Sequence, residues 1–162
     1  MKLKTNLILS LSLAIIVTVV VMANNRKAET FKLPNLLNLD SSKAAQNLGK
    51  NKILIVSYFQ TWCGDCVKEQ PQLQQLKQRY NDTLEILMVS DESLSKIAAF
   101  KTRFQSGLNF YHSTQKLKAE LGVSAYPTTY LLDKKGKILL KKVEGIQWYT
   151  PEVMTLINQA IK

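Results

Sequence analysis

Two cysteines, Cys63 and Cys66, stand two residues apart in Trp62-Cys63-Gly64-Asp65-Cys66, and the 162-residue chain has no others. Directly before them runs Ile53-Leu54-Ile55-Val56-Ser57-Tyr58-Phe59, apolar and β-branched, a buried-strand pattern. Directly after them, Val67 to Lys77 reads as a helix with Leu73 and Leu76 three apart. A C-x-x-C pair at a strand-to-helix junction is the pattern of a dithiol redox site. With the second cysteine inside the first helical turn, both sulfurs fall within disulfide reach. The first then sits where unpaired backbone N–H groups and the helix dipole favour a thiolate. Cys63 is therefore expected to be the exposed attacking thiolate, and Cys66 the more buried thiol that resolves a mixed disulfide.

Other uses of the pair stay open. Zinc normally takes four ligands, and the chain offers no second cysteine pair and a single histidine, His112, which reads as structural at the end of a strand. A purely structural disulfide in a binding module is one alternative. Copper(I) handling by the two soft thiolates is another, without a methionine or histidine near the pair to encourage it. Glu69 lies three residues after Cys66, so one helical turn returns it toward the dithiol, unless it is a solvated carboxylate beside Lys68 and Lys77. Trp62 is expected to shield the disulfide and pack on the helix. Trp148 and Tyr149 read as packing residues.

These residues need a scaffold, and the chain supplies alternating elements. Phe31 to Asp40 suggests a strand or extended entry, and Ser41 to Leu48 a short capped helix closed by Gly49. The central strand covers about 52–59 and the cysteine helix about 63–80, with a kink expected at Pro71. Leu84 to Ser90 is the next strand. A helix follows to about Phe104 with Leu94, Ile97, Ala98 and Phe104 apolar, then a short strand over 108–111 and a short helix over 115–121. Thr128 to Asp133 and Lys137 to Val143 flank Lys134-Lys135-Gly136 as a hairpin. A last helix over about 150–161 carries Pro151 at an early position, where proline is tolerated. Strands alternating with helices and ending in a hairpin give an α/β layered core.

The N-terminus is of another kind. Leu7 to Ala23 carries no charge, after a basic start at Lys2 and Lys4. It suits a signal peptide cleaved after Ala23 or, as favoured by its length, an uncleaved membrane anchor. Residues 24–30 read as a linker and 31–162 as one domain, placed outside the cytoplasm. The net charge of +10 comes from scattered lysines, clustered only around the hairpin at Lys134, Lys135, Lys137, Lys141 and Lys142. With no nucleic-acid motif, that cluster reads as a solvated sheet edge rather than a binding patch.

Trp62-Cys63-x-x-Cys66, Pro71 five residues on, and Val123-Ser124-Ala125-Tyr126-Pro127-Thr128-Thr129 with Tyr130 to Lys137 together resemble the thioredoxin-like superfamily. The closer likeness is to the membrane-anchored TlpA/ResA group of thiol-disulfide oxidoreductases, and it covers the chain from about Phe31 to the end. The resemblance implies a thioredoxin fold, a central mixed β-sheet flanked by helices, here preceded by one hydrophobic signal or anchor helix. It implies no cofactor beyond a redox-active Cys63–Cys66 disulfide and no metal, with Cys63, Cys66 and Glu69 as catalytic residues. Glu69 would manage the proton of the cysteine pair. Pro127 would be a cis-proline facing the cysteines, and with Trp62 and the Tyr126 backbone would position an extended substrate strand. Expected partners are protein thiols and disulfides, including apocytochrome c cysteines, and a membrane electron-donor protein, with the membrane reached through the N-terminal segment and no nucleic acid.

Three departures from the group bear on chemistry. Asp65 replaces a frequent proline, and its charge should disfavour the Cys63 thiolate, which with Gly64 tunes the pair toward reduction of substrates. Ser57 stands where cytoplasmic thioredoxins carry a buried acid, which puts more weight on Glu69. Tyr126 precedes the proline where a smaller residue is common, which narrows substrate choice.

Overall fold

The computed structural model describes residues 31, 36–44, 48–113, 115–145 and 147–162. Five strands, β1 (Ile53–Tyr58), β2 (Leu84–Ser90), β3 (Asn109–His112), β4 (Thr128–Leu132) and β5 (Ile138–Val143), form one sheet in the order β3-β2-β1-β4-β5. The pairs β1–β2 and β2–β3 are parallel, whereas β4 runs antiparallel to both β1 and β5. Among the described residues the α-helices are α1 (Gly64–Tyr80), α2 (Leu94–Arg103), α3 (Gln115–Glu120) and α4 (Pro151–Ile161).

All six residues of β1 are buried, as expected of a β-branched run in the middle of a sheet. Successive side chains leave a strand on opposite faces, so β1 feeds two cores. Ile53 and Ile55 join Leu73 and Leu76 of α1, Ile97 and Phe100 of α2, and Val153 and Ile157 of α4. Leu54, Val56 and Tyr58 join Leu36, Tyr111, Val123 and Tyr130 on the other side. Ser57 has the parity of Ile53 and Ile55, so its hydroxyl enters the face that α1 covers. Phe100, absent from the apolar stripe drawn for α2, is buried there with its ring 5.1 Å from Phe59.

Helix α1 continues unbroken through Pro71 to Tyr80. Helix α4 starts on Thr150, whose hydroxyl accepts the Val153 N–H, and Lys134 donates to the Ile161 carbonyl near its other end. At the β4–β5 turn Gly136 has φ +80°, and Phe31 donates to its carbonyl at 2.8 Å. A side chain at Gly136 would meet both a left-handed backbone and the Phe31 carbonyl 3.3 Å away.

One N-terminal expectation needs correction. Residues 41–44 are not helical. Asp40 Oδ1 accepts the Ser42 N–H at 2.9 Å, Ser41 takes φ +68°, and Lys43 forms a bridge to Leu37. Short polar side chains have captured the backbone in a turn before a helix can start. Residues 45–47 of the expected helix lie outside the described residues. Of the expected strand or extended entry, the described part is extended at Leu37, which exchanges both backbone bonds with His112 at 2.9 Å and so covers the β3 edge; 32–35 are likewise outside the described residues. So is the apolar run 7–23, and among the described residues no helix is long and apolar enough to cross a membrane.

Candidate active site

Parallel neighbours β1 and β2 end together, and the loops leaving their C-terminal ends build the site. The Phe59 N–H donates to Val89 O, and the Cys63 N–H to Gln60 O. Between them, Gln60 Nε2 donates to Asp91, while the Thr61 N–H and hydroxyl donate to the Glu92 carboxylate. Asp91 and Glu92 follow β2 directly and hold the segment that leads into Cys63.

Cys63 is the N-cap of α1, and its sulfur accepts the Cys66 N–H at 3.2 Å. A sulfur thus takes the place usually filled by a serine or aspartate oxygen, on one of the helix's otherwise unpaired donors. Cys63 and Cys66 are joined in a disulfide with a Cα–Cα separation of 5.3 Å. Cys63 is 7% exposed and Cys66 0%, so Cys63 is the more accessible of the two but is buried rather than exposed as expected. Space beyond Gly64 is open: a Cβ there would meet nothing within 4 Å.

Trp62 does not pack on the helix. It is 72% exposed and stands edge-on to Tyr126, ring centroids 5.8 Å apart. Tyr126 in turn stacks on Tyr58 at 6.3 Å, with Lys118 Nζ 4.9 Å from its ring centre. Thr128 pairs with Tyr58, so antiparallel β4 begins where β1 ends. That register delivers the cis Tyr126–Pro127 bond to the cysteine side of the sheet. Asp65 pairs with Lys68 at 2.9 Å on the exposed flank of α1, so its charge is partly compensated rather than directed at the dithiol alone.

Glu69 is not the solvated carboxylate of the bland alternative. It is 2% exposed and lies between α1 and the sheet. Ser57 Oγ is 2.7 Å from Oε2, Thr129 Oγ1 is 2.9 Å from Oε1, and the Trp148 indole N–H donates to Oε1. Ser57 and Thr129 are register partners on β1 and β4, with hydroxyls 3.0 Å apart. Burial raises the Glu69 carboxyl above its usual 4.5, and the three donors pull against that rise.

A sequence profile of the AhpC/TSA family matches residues 25–141. The chain belongs to the AhpC/TSA family. This AhpC/TSA chain is 29% identical over 108 residues to a thioredoxin-like protein, YneN, of Bacillus subtilis. It is 30% identical over 111 residues to the thiol-disulfide oxidoreductase ResA of Bacillus anthracis. Each match spans 64% of the relative's own length. Among solved structures, the thioredoxin domain of a thiol-disulfide oxidoreductase from Bacteroides vulgatus superposes with a TM-score of 0.72 at 20% identity, covering 81% of this chain and 97% of that one. A thiol:disulfide interchange protein of the thioredoxin family from Chlorobium tepidum gives 0.67 at 17%, covering 84% and 99%. These likenesses establish the thioredoxin-like fold.

The surroundings of Glu69 in this AhpC/TSA chain were only half visible in the sequence. The sequence marks Ser57 only as a missing acid, Thr129 as part of a motif and Trp148 as a packing residue. The available signal was Ser57 itself, a polar residue at a core-facing position of an apolar strand. One measurable consequence follows from linkage. The folded chain holds the Glu69 proton to higher pH than the unfolded chain, so the associated stability is complete below about pH 4.5 and is lost as pH rises toward the folded value. In urea titrations, Glu69→Gln is therefore expected to gain on the wild type as pH rises above that point. A difference that stays constant with pH would mean that the carboxyl ionises alike in both states.

Proposed function

We propose that the chain is an extracytoplasmic protein thiol-disulfide oxidoreductase, tethered by residues 7–23 and acting in the reducing direction on exported proteins. The observation that supports the dithiol chemistry in this reading is the Cys63 sulfur capping α1 through the Cys66 N–H, on the helix that also carries the buried Glu69 carboxyl. Reduction of the pair leaves a sulfur at a helix N-terminus, where the thiolate is favoured. Cys63 then attacks a substrate disulfide, forming a mixed disulfide and releasing the first substrate thiolate. Cys66 loses its proton to Glu69 and attacks Cys63, closing the Cys63–Cys66 bond as the second substrate sulfur departs. The substrate gains two electrons and the dithiol loses them. A membrane electron-donor protein returns the pair to the dithiol. Trp62, Tyr126 and Pro127 line the approach, and apocytochrome c cysteines are candidate substrates.

One observation favours a second direction. Lys68 compensates part of the Asp65 charge, leaving the helix terminus freer to stabilise the Cys63 thiolate. A more stable thiolate makes the pair a better oxidant. The reduction potential decides between the two. A value at or below about −250 mV, in the thioredoxin range, supports the reductase; one above about −180 mV makes the chain a disulfide donor or isomerase. Absence of any exchange would leave only a binding module with a structural disulfide.

A further inference from the structure

The hydrogen bonds around Glu69 can be counted in protons. Three contacts form a closed ring: Ser57 Oγ with Glu69 Oε2 at 2.7 Å, Thr129 Oγ1 with Glu69 Oε1 at 2.9 Å, and Thr129 Oγ1 with Ser57 Oγ at 3.0 Å. A hydroxyl owns one proton and also accepts, whereas a carboxylate only accepts. If Glu69 is ionised, the ring holds two protons for three contacts, and the hydroxyl-to-hydroxyl contact is left without one whenever both hydroxyls serve the carboxylate. If Glu69 is neutral, there are three protons for three contacts, and the ring closes with Oε2–H donating to Ser57, Ser57 to Thr129 and Thr129 to Oε1. The Trp148 indole, a pure donor, completes Oε1 in both cases. Ser57, Glu69 and Thr129 are each 2% exposed or less, where a missing bond is costly.

We infer that Ser57 and Thr129 are positioning residues that form a reversible proton store around Glu69, closing on the neutral acid while the Cys63–Cys66 disulfide is shut and turning both hydroxyls onto the carboxylate when the proton leaves. This inference rests on the dithiol chemistry proposed above and assigns two residues to it. In the resolving step the Cys66 S–H bond breaks and an O–H bond forms on Glu69. The ring then holds that proton until re-reduction returns it to the Cys66 sulfur. The groups facing the carboxyl are Ser57 on β1, Thr129 on β4 and Trp148 ahead of α4, none of them an acid or base in the neutral range. Along the first two turns of its own helix the titratable groups are the cysteines, when reduced, and the exposed Asp65–Lys68 pair. A store made of amphoteric hydroxyls suits this site because fixed donors alone would serve only the anion, and an apolar pocket only the acid.

Infrared spectra of the full-length oxidised protein test the ring directly. A carboxylic-acid C=O band present at neutral pH and missing from Glu69→Gln is the expected result; its absence from the wild type overturns the inference. The second readout is the pH profile of mixed-disulfide resolution in single turnover. Ser57→Ala with Thr129→Val strips the carboxylate of two donors, so its proton persists to higher pH. The acid limb of the profile should move upward, and resolution at neutral pH should slow by at least about tenfold, the equivalent of one lost hydrogen bond to a charged group. Ser57→Thr with Thr129→Ser, which restores both hydroxyls, should bring the profile back. A double alanine–valine variant with the wild-type profile sinks the inference even if exchange is intact. If the wild type shows no exchange at all, the oxidoreductase reading fails, and the infrared band still decides whether the ring holds a proton.

Discussion

Cys63→Ala is expected to reduce insulin no faster than the uncatalysed background, whereas Cys66→Ala should accumulate a mixed disulfide through Cys63. The asymmetry follows from position on α1. Cys63 is the N-cap and the more accessible sulfur, at 7% exposed, while Cys66 sits at 0% inside the first turn. Only the first can meet a substrate, and only the second is placed to release it. Loss of the Cys63 sulfur removes the atom that forms the covalent intermediate, so no partial activity should survive. Trapped complexes would be seen by non-reducing electrophoresis and released by dithiothreitol. If Cys63→Ala kept full activity, or Cys66→Ala trapped nothing while Cys63→Ala did, the roles would have to be exchanged or abandoned.

The largest effect on stability is expected at Trp148. It is fully buried in the core shared by α1, α4 and the sheet, and its backbone N–H donates to Gln72 Oε1 at 2.7 Å. Truncation of a buried tryptophan to alanine typically costs about 3–5 kcal/mol through lost burial and the cavity left behind. Trp148→Ala should therefore lower the urea midpoint steeply. Trp148→Phe separates the two roles of the side chain. It keeps most of the packing but removes the indole donor from Glu69, at a cost of about 1–3 kcal/mol when the carboxylate is the form left short. Because that donor holds the Glu69 value down, its removal should also push the carboxyl further up. A Trp148→Ala protein as stable as the wild type would show that the segment ahead of α4 does not close this core.

Local chemistry was legible wherever one stretch of chain carried its own instruction. Strand β2 falls on Leu84–Ser90 as its apolar run suggests, and the β4–β5 hairpin turns at Lys134-Lys135-Gly136. Pro151 sits at the start of α4, where its missing N–H is not needed. The same local reading misjudged residues 41–44, where a helix pattern competes with Asp40 and Ser42 side chains that bond to the backbone. It also misplaced Trp62, because only the register of β4 against β1 brings the Tyr126 ring to it.

The dithiol is legible along the chain: two cysteines two residues apart, at the junction of a buried strand and a helix, need nothing distant to place both sulfurs on one helical turn. The thioredoxin-like character of the chain was legible for the same reason, since its motifs are short and contiguous. The state of the groups around that dithiol, by contrast, depends on how distant segments pack. Glu69 is buried because α1 lies on the β1–β4 face, and its partners come from 12, 60 and 79 residues away in sequence. Asp65, one helical turn earlier, stays in solvent with Lys68. Two carboxylates on one helix thus meet opposite environments, and burial, which sets whether a carboxyl holds its proton, is a property of the packed faces and not of the spacing along the chain.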